Sequence, residues 1–341
     1  MKNPFVQNGE MLPVASINSV FVENEKAYDL FRPSLILEKL IEYMNMYGLY
    51  DMIESTSVLY LFDQLLLHDS KDIKQGAEEL ADMFGDRLAS VLTTLLQPSE
   101  ISIKNRTNWS SVHWDYWKTI RKIYLVGGLT SPLLTQRFYQ RIQRAFEQKD
   151  IEDVTVTFIE GSQNMGTRGL ASITKNGDYM LFDFGQTKIK RARVLKDRNT
   201  TIIESYLDPV DAKYLYYKNT SKATLVETAS ELDGYICKTI IDAIHETGFT
   251  GNKIYMSIAN YVSQGAIYSA RGGYGKLAYI GENYQQHLEQ KLAEMLNKQV
   301  TVRLFHDTSA MALLFRHEPH TAVISLGTAF GVAFPHDSVY S

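Results

Sequence analysis

The sequence predicts an α/β fold with mixed sheets, divided between two domains, and three observations predict it. Short apolar runs that stop at glycine turns alternate with longer segments of helical period, the pattern of sheets covered by helices. From Tyr179 onward the strands instead follow one another directly, which opens a second sheet. The 341 residues, 45% hydrophobic and 22% charged, supply two domains of ordinary size.

Between Ser34 and Leu96, apolar positions recur at helical spacing in SLILEKLIEYMNMYGLYDMI, SVLYLFDQLLLH and GAEELADMFGDRLASVLTTLL, which predicts three helices. The aromatic stretch NWSSVHWDYWKTI follows; Trp109, Trp114, Trp117 and Tyr116 in it read as packed core or an interface. KIYLVGG is a buried strand stopped by Gly127 and Gly128. LLTQRFYQRIQRAF is an amphipathic helix, VTVTFIEG a second buried strand, and a glycine-containing turn and short helix come next. YMLFDFGQTKIKRARVLKDRNTTIIESYL is a run of strands that turns at 183–187. A helix over 221–246 leads to the strand KIYMSIA, and one over 283–297 leads to VTVRLFHD. TAVISLGTAFGVAF closes as a hairpin around a Gly-Thr turn.

Several function classes fall away at this stage. A net charge of -4 gives no basic field to grip a nucleic-acid backbone. The single Cys237 allows neither an internal disulfide nor a cysteine zinc cage, and the eight histidines show no pair at metal-ligand spacing. The start, MKNPFVQNGEMLPV, has no basic region and apolar run of the secretory kind, and no segment approaches the roughly 20 apolar residues that span a bilayer. A cytoplasmic location, with no nucleic-acid or membrane partner, is expected. The G-x-x-x-x-G-K-[ST] phosphate loop and the G-x-S-x-G elbow are absent.

Three glycine turns after strands could bring backbone N–H groups against an anion. In Asp183-Phe184-Gly185-Gln186-Thr187-Lys188, the carboxylate at the strand end could hold Mg²⁺ through water while Gly185, Thr187 and Lys188 approach phosphate. Gly327-Thr328-Ala329-Phe330-Gly331 follows the same logic. The other reading of both is a plain hairpin. At Gly127-Gly128-Leu129-Thr130-Ser131-Pro132, either a glycine shelf meets a nucleobase or ribose, or Thr130 or Ser131 simply caps the next helix. One carboxylate sits where chemistry needs it: the strand VTVRLFHD ends at His306-Asp307, and Asp307 could take a proton from an attacking hydroxyl, cap the following helix, or do both. His306 reads as a packed residue or a support for its neighbour.

Taken together, these segments resemble the ATPase core shared by hexokinases, actin and the heat-shock chaperones, and most closely the ROK group of bacterial sugar kinases and repressors. LFDFGQTKIKRARV resembles the first phosphate motif, D-x-G-x-T, and VTVRLFHDTSAMALLFR the segment of the catalytic Asp, which falls on Asp307. VISLGTAFGVAF resembles the second phosphate loop and KIYLVGGLTSPLLTQRFYQRIQRAF the adenosine motif. VTFIEGSQNMGTRGLASI resembles the final strand and helix, with Gly166 and Gly169 in place. The order differs from the family's by a rotation, as though old ends were joined near Asn176-Gly177 and new ends cut after Phe334. The rotation aligns Ser16, Asn18 and Ser19 with the family's E-x-G-H sugar segment.

The resemblance implies a circularly permuted, two-lobed actin/hexokinase-like (ribonuclease H-like) fold. Residues 1–176 would form the C-terminal-type lobe and 177–315 the N-terminal-type lobe, with 316–341 returning a phosphate hairpin to the first. It implies ATP and Mg²⁺ as cofactors and a sugar or polyol as substrate, with Asp307 as base and Asp183 on the metal through water. Gly185, Thr187, Lys188, Gly327, Thr328, Gly331, Gly127, Gly128 and Gly166 would contact the nucleotide, and Asn260, Arg271, Gly272 and His306 the substrate. A homodimer is expected from the family and from the aromatic stretch. The sequence departs from the family where His306 replaces an Asn, Ala259-Asn260-Tyr261 a Pro-Gly turn, and Ala270-Arg271-Gly272-Gly273 an Asn-containing loop. A member without catalysis, which binds ligand or nucleotide and regulates something else, is therefore the alternative, and a subunit used only for assembly is a third.

Overall fold

A computed structural model describes residues 1–49, 58–129, 131–198, 200–215, 222–268 and 272–335. Two-residue strands open the chain as hairpins, β1 Val6–Gln7 with β2 Glu10–Met11 and β3 Phe21–Val22 with β4 Glu25–Lys26. Helices follow: α1 Ala27–Leu30, α2 Pro33–Met46, α3 Val58–Leu66, α4 Lys71–Leu96, α5 Glu100–Asn105 and α6 Ser111–Lys118. Then come β5 Lys122–Val126, α7 Pro132–Gln148, β6 Thr155–Phe158 and α8 Met165–Ser172. The consecutive strands are β7 Gly177–Phe184, β8 Lys188–Asp197 and β9 Thr200–Asp211, ahead of α9 Lys222–Thr247 and β10 Lys253–Ile258. The chain finishes with the hairpin β11 Val262–Ser263 and β12 Ala266–Ile267, α10 Tyr284–Leu296, β13 Thr301–His306, α11 Asp307–Ala312, β14 Thr321–Leu326 and β15 Phe330–Ala333. The α/β class with mixed sheets is as the periodicity predicts.

Two compact units divide the chain. Unit 1 holds residues 1–4, 14–163 and 320–332, and unit 2 holds 5–13, 164–319 and 333–341. α8 belongs to unit 2, where it packs on β7, β8, β10 and α11.

Unit 1 contains a four-stranded sheet in the order β15-β14-β5-β6, with β14, β5 and β6 parallel. Its helices include the pair α4 and α7, which approach closely at Gly85, where a Cβ would meet the Arg141 Cγ at 2.8 Å. Trp109, Trp114 and Trp117 are buried here, so these three rings of the aromatic stretch belong to the core. Phe31 joins this core to the terminal hairpin by stacking on Phe330 at 5.6 Å.

Unit 2 is a three-layer sandwich around a five-stranded sheet in the order β13-β10-β7-β8-β9. β13, β10 and β7 run parallel, and β7, β8 and β9 form an antiparallel meander. Because side chains alternate between faces, Met180, Phe182 and Phe184 of β7 pack with Ile236 and Ile240 of α9 and Leu288 of α10. Tyr179 and Leu181 face the other way, onto Leu170 of α8 and Ala310 of α11. Small residues allow the α8 contact: a Cβ on Gly169 would lie 1.8 Å from the Ala310 carbonyl oxygen. Gly169→Ala is expected to destabilise the fold, toward the upper part of the ~1–3 kcal/mol range for overpacking, because the obstacle is backbone that no rotamer relieves. Urea denaturation measures this, and an unchanged midpoint would refute the packing account.

Candidate active site

In parallel α/β sheets, ligand-binding groups gather at the carboxyl ends of the strands. In unit 2 those ends carry Asp183 on β7, Ser257 on β10 and His306-Asp307 at the close of β13.

Asp183 is buried, and strand register supplies its partners. It lies opposite Lys190 on β8 and beside Ser257 on β10. The Lys190 ammonium is 3.2 Å from Oδ2, and the Ser257 hydroxyl donates to Oδ1 at 2.8 Å. Helix α8 covers the carboxylate through Gly166, where a Cβ would come within 2.6 Å of the Asp183 Cγ. Only a glycine leaves room for the carboxylate there.

Asp307 is the first residue of α11, and its carboxylate accepts from the Thr308 backbone N–H at 2.6 Å. His306 Nε2 lies 3.3 Å from Oδ1, the His306 ring stacks on Tyr261 at 4.5 Å, and Nδ1 accepts from the Ser309 N–H. That last bond makes His306, not Asp307, the helix cap, and the cap reading of Asp307 is corrected accordingly. It also leaves the imidazole proton on Nε2, the nitrogen nearer the carboxylate. Burial raises the Asp307 pKa above the ordinary 3.8; the neighbouring Asp183 charge adds to the rise, while His306 and the Thr308 bonds oppose it. Burial likewise lowers that of His306, with Asp307 opposing, so the ring is held neutral.

The turn after β7 is internally braced. The Gly185 N–H donates to the carbonyls of Asp183 at 3.1 Å and Lys188 at 3.2 Å, and its own carbonyl accepts from the buried Tyr274 hydroxyl at 2.9 Å. Gly185 therefore shapes the turn rather than offering a free donor, while Thr187 is exposed. Lys188, predicted to reach phosphate, instead pairs with Asp211 at 2.6 Å on the sheet surface, because cross-strand register places that carboxylate opposite it. Asn260 is buried just after β10, and Gly272 starts a 3-10 turn with φ 77°. Arg271 and Thr130 lie outside the described residues.

Unit 1 carries its glycines at the same kind of place. Gly127, at φ 110°, presses on the backbone of β14: a Cβ would lie 2.9 Å from the Leu326 carbonyl oxygen, immediately before Gly327. The two turns are thus neighbours, and Ser162 Oγ clamps one of them by accepting from the Gly127 N–H at 2.9 Å and donating to its carbonyl at 3.0 Å. Gly128 and Thr328 are exposed, whereas the Gly331 N–H is taken by Ser325. Ser131 does not cap α7 with its side chain; its hydroxyl donates to Asp63 at 2.8 Å. Asn18 pairs with both backbone groups of Phe330, and Ser19 and the Ser16 carbonyl accept from Arg106. The segment aligned with E-x-G-H is thus engaged in holding the hairpin.

Sequence reasoning missed Lys190, Ser257, Tyr261 and Tyr274. Counting outward from the 185–187 turn would have paired Lys190 with Asp183; the other three depend on tertiary register. No family model matches this sequence, and no curated protein matches it either.

Proposed function

We propose that this chain transfers phosphate from ATP to a hydroxyl of a sugar or related polyol, with Asp307 as the general base. The observation that carries the reading is the pair of carboxylates, Asp183 and Asp307, close enough to act on each other at the carboxyl ends of β7 and β13. Their surroundings differ: an ammonium compensates one, while the other has a neutral imidazole and a raised pKa. Carboxylates separated in this way take separate roles.

Strand order supports the ribonuclease H-like resemblance. Numbered from β7, unit 2 reads 3-2-1-4-5 with strand 2 reversed. In unit 1, β14 likewise stands between its hairpin partner β15 and the parallel strands β5 and β6, yet the hairpin comes last in the chain. A rotated chain order accounts for that, and Phe5 stacking on Phe334 at 5.1 Å supports it by bringing the rotated junction together.

Asp183 would be the residue that holds, through water, a magnesium ion arriving on the nucleotide. Among the described residues, no group of three His, Cys, Asp or Glu side chains could hold a metal without such help. The ion would offset phosphate charge. Asp307 would accept the acceptor hydroxyl's proton, and the Thr308 N–H and hydroxyl, which both donate to its Oδ1, would orient its carboxylate.

The Lys190 ammonium on Asp183 favours a second reading, a nucleotide- or ligand-binding regulator without turnover. Transfer of labelled γ-phosphate to a panel of hexoses, aminosugars and polyols decides between them. Turnover of at least one acceptor is expected. ATP binding with no transfer to any would establish the second reading, and binding of neither ligand would end both.

A further inference from the structure

The geometry points to a saccharide-binding subsite in unit 2, where hairpin β1–β2 meets hairpin β11–β12. A cavity of about 240 Å³ lies there, lined by Gln7, Asn8, Glu10, Ser263, Gln264 and Tyr268 over an apolar floor that includes Met11 and Val262. It shares no residue with the Asp183 and Asp307 centre.

Both hairpins turn through two left-handed residues, Asn8-Gly9 at φ 50° and 81° and Gln264-Gly265 at φ 50° and 82°. Two-residue turns of this kind fix register tightly, but hairpins this short cannot stand alone. The molecule holds them together. Both oxygens of Glu10 accept from the Gln264 N–H at 2.9 Å; the Gln264 carbonyl accepts from Asn283 at 2.8 Å, and the Gly265 carbonyl accepts from the Gln285 N–H at 2.9 Å. The walls are therefore set before a ligand arrives, which lowers the ordering cost of binding.

The lining selects a chemical class. Gln7, Asn8 and Ser263 make no side-chain hydrogen bond among the described residues, and Tyr268 is 51% exposed. No lysine, arginine or histidine lines the cavity, which disfavours an anion, and the Glu10 oxygens already accept from backbone, which disfavours a bare cation. Amides, a hydroxyl and a carboxylate can each meet a sugar hydroxyl as donor or acceptor, and an exposed phenol ring covers a sugar's C–H face. A neutral polyhydroxylated ligand satisfies all of them, either as a free monosaccharide or as the end of an oligosaccharide.

The assignment stands on the cavity and does not need phosphoryl transfer. Glucose and maltose are titrated separately into the full chain without nucleotide, followed by saturation-transfer NMR. Saturable binding is expected for at least one of them, weakened about ten-fold by Tyr268→Ala and by Asn8→Gly, which keeps the left-handed turn, and unchanged by Asp307→Asn. Tighter maltose binding identifies an oligosaccharide end; equal affinities identify a monosaccharide. Absence of saturable binding to the folded protein, or binding weakened by Asp307→Asn and not by the cavity variants, overturns the subsite. Cavity binding without phosphorylation of any acceptor would leave the subsite standing and end the kinase reading.

Discussion

Asp307→Asn is expected to cut phosphoryl transfer by about 10²–10⁴-fold, the range a positioned general base contributes, while leaving the protein folded. The amide is isosteric and keeps an oxygen for the Thr308 N–H, yet it cannot take a proton from the acceptor. The pH dependence follows from the raised pKa. Protonated Asp307 is inactive, so kcat/KM of the parent should fall as pH drops toward that pKa, at a pH above the ordinary aspartate value of 3.8. Stability runs the other way. A folded-state pKa above the unfolded one means the folded protein holds this proton more tightly, and the resulting stabilisation is lost as pH rises through the folded value. At neutral pH the asparagine carries no such loss, so the thermal midpoint of the variant should equal or exceed the parent's. A variant that keeps full turnover, or one that loses turnover only by unfolding, would remove Asp307 from the chemistry.

Lys190→Met is expected to destabilise the fold by about 3 kcal/mol, the lower part of the ~3–5 kcal/mol range for removing one partner of a buried pair. The lower part applies because the lysine side chain is 23% exposed while that of Asp183 is 2% exposed. Methionine keeps most of the aliphatic stem, so the measured loss reports the stranded carboxylate. The control is a double-mutant cycle with Asp183→Asn. Once the carboxylate is neutral, Lys190→Met should cost little; additive effects would show that the two side chains do not act on each other. Both stabilities come from urea denaturation.

Much of the fold was legible because it is written in local periodicity. α4, α7, α9 and α10, and the strands β5, β7, β10, β13 and β14, all fall where the apolar spacing puts them. The two-residue strands were not legible, since a hairpin as short as Val262–Ile267 has no period to detect. Placement of α8 was also hidden: its glycines show that something approaches closely, but not that Gly166 meets Asp183 and Gly169 meets Ala310. For the site, a carboxylate at a strand end is visible in sequence, as with Asp183 and Asp307. Its counter-charge is not, because Lys188 and Lys190 share one strand face and only the register decides which of them meets Asp183. The stack of Tyr261 on His306 joins two strand ends and leaves no mark in either segment alone.

That register has a consequence for how faithfully the sheet assembles. Were β8 to slide by a single residue along β7 so that Ile189 came opposite Asp183, its alternation would carry the Lys190 head to the α9 side and leave the buried aspartate without its cation. That misalignment of the hairpin is thereby penalised electrostatically as well as by lost packing. The ionic contact at the heart of the candidate centre would then also serve as a proofreading device during folding.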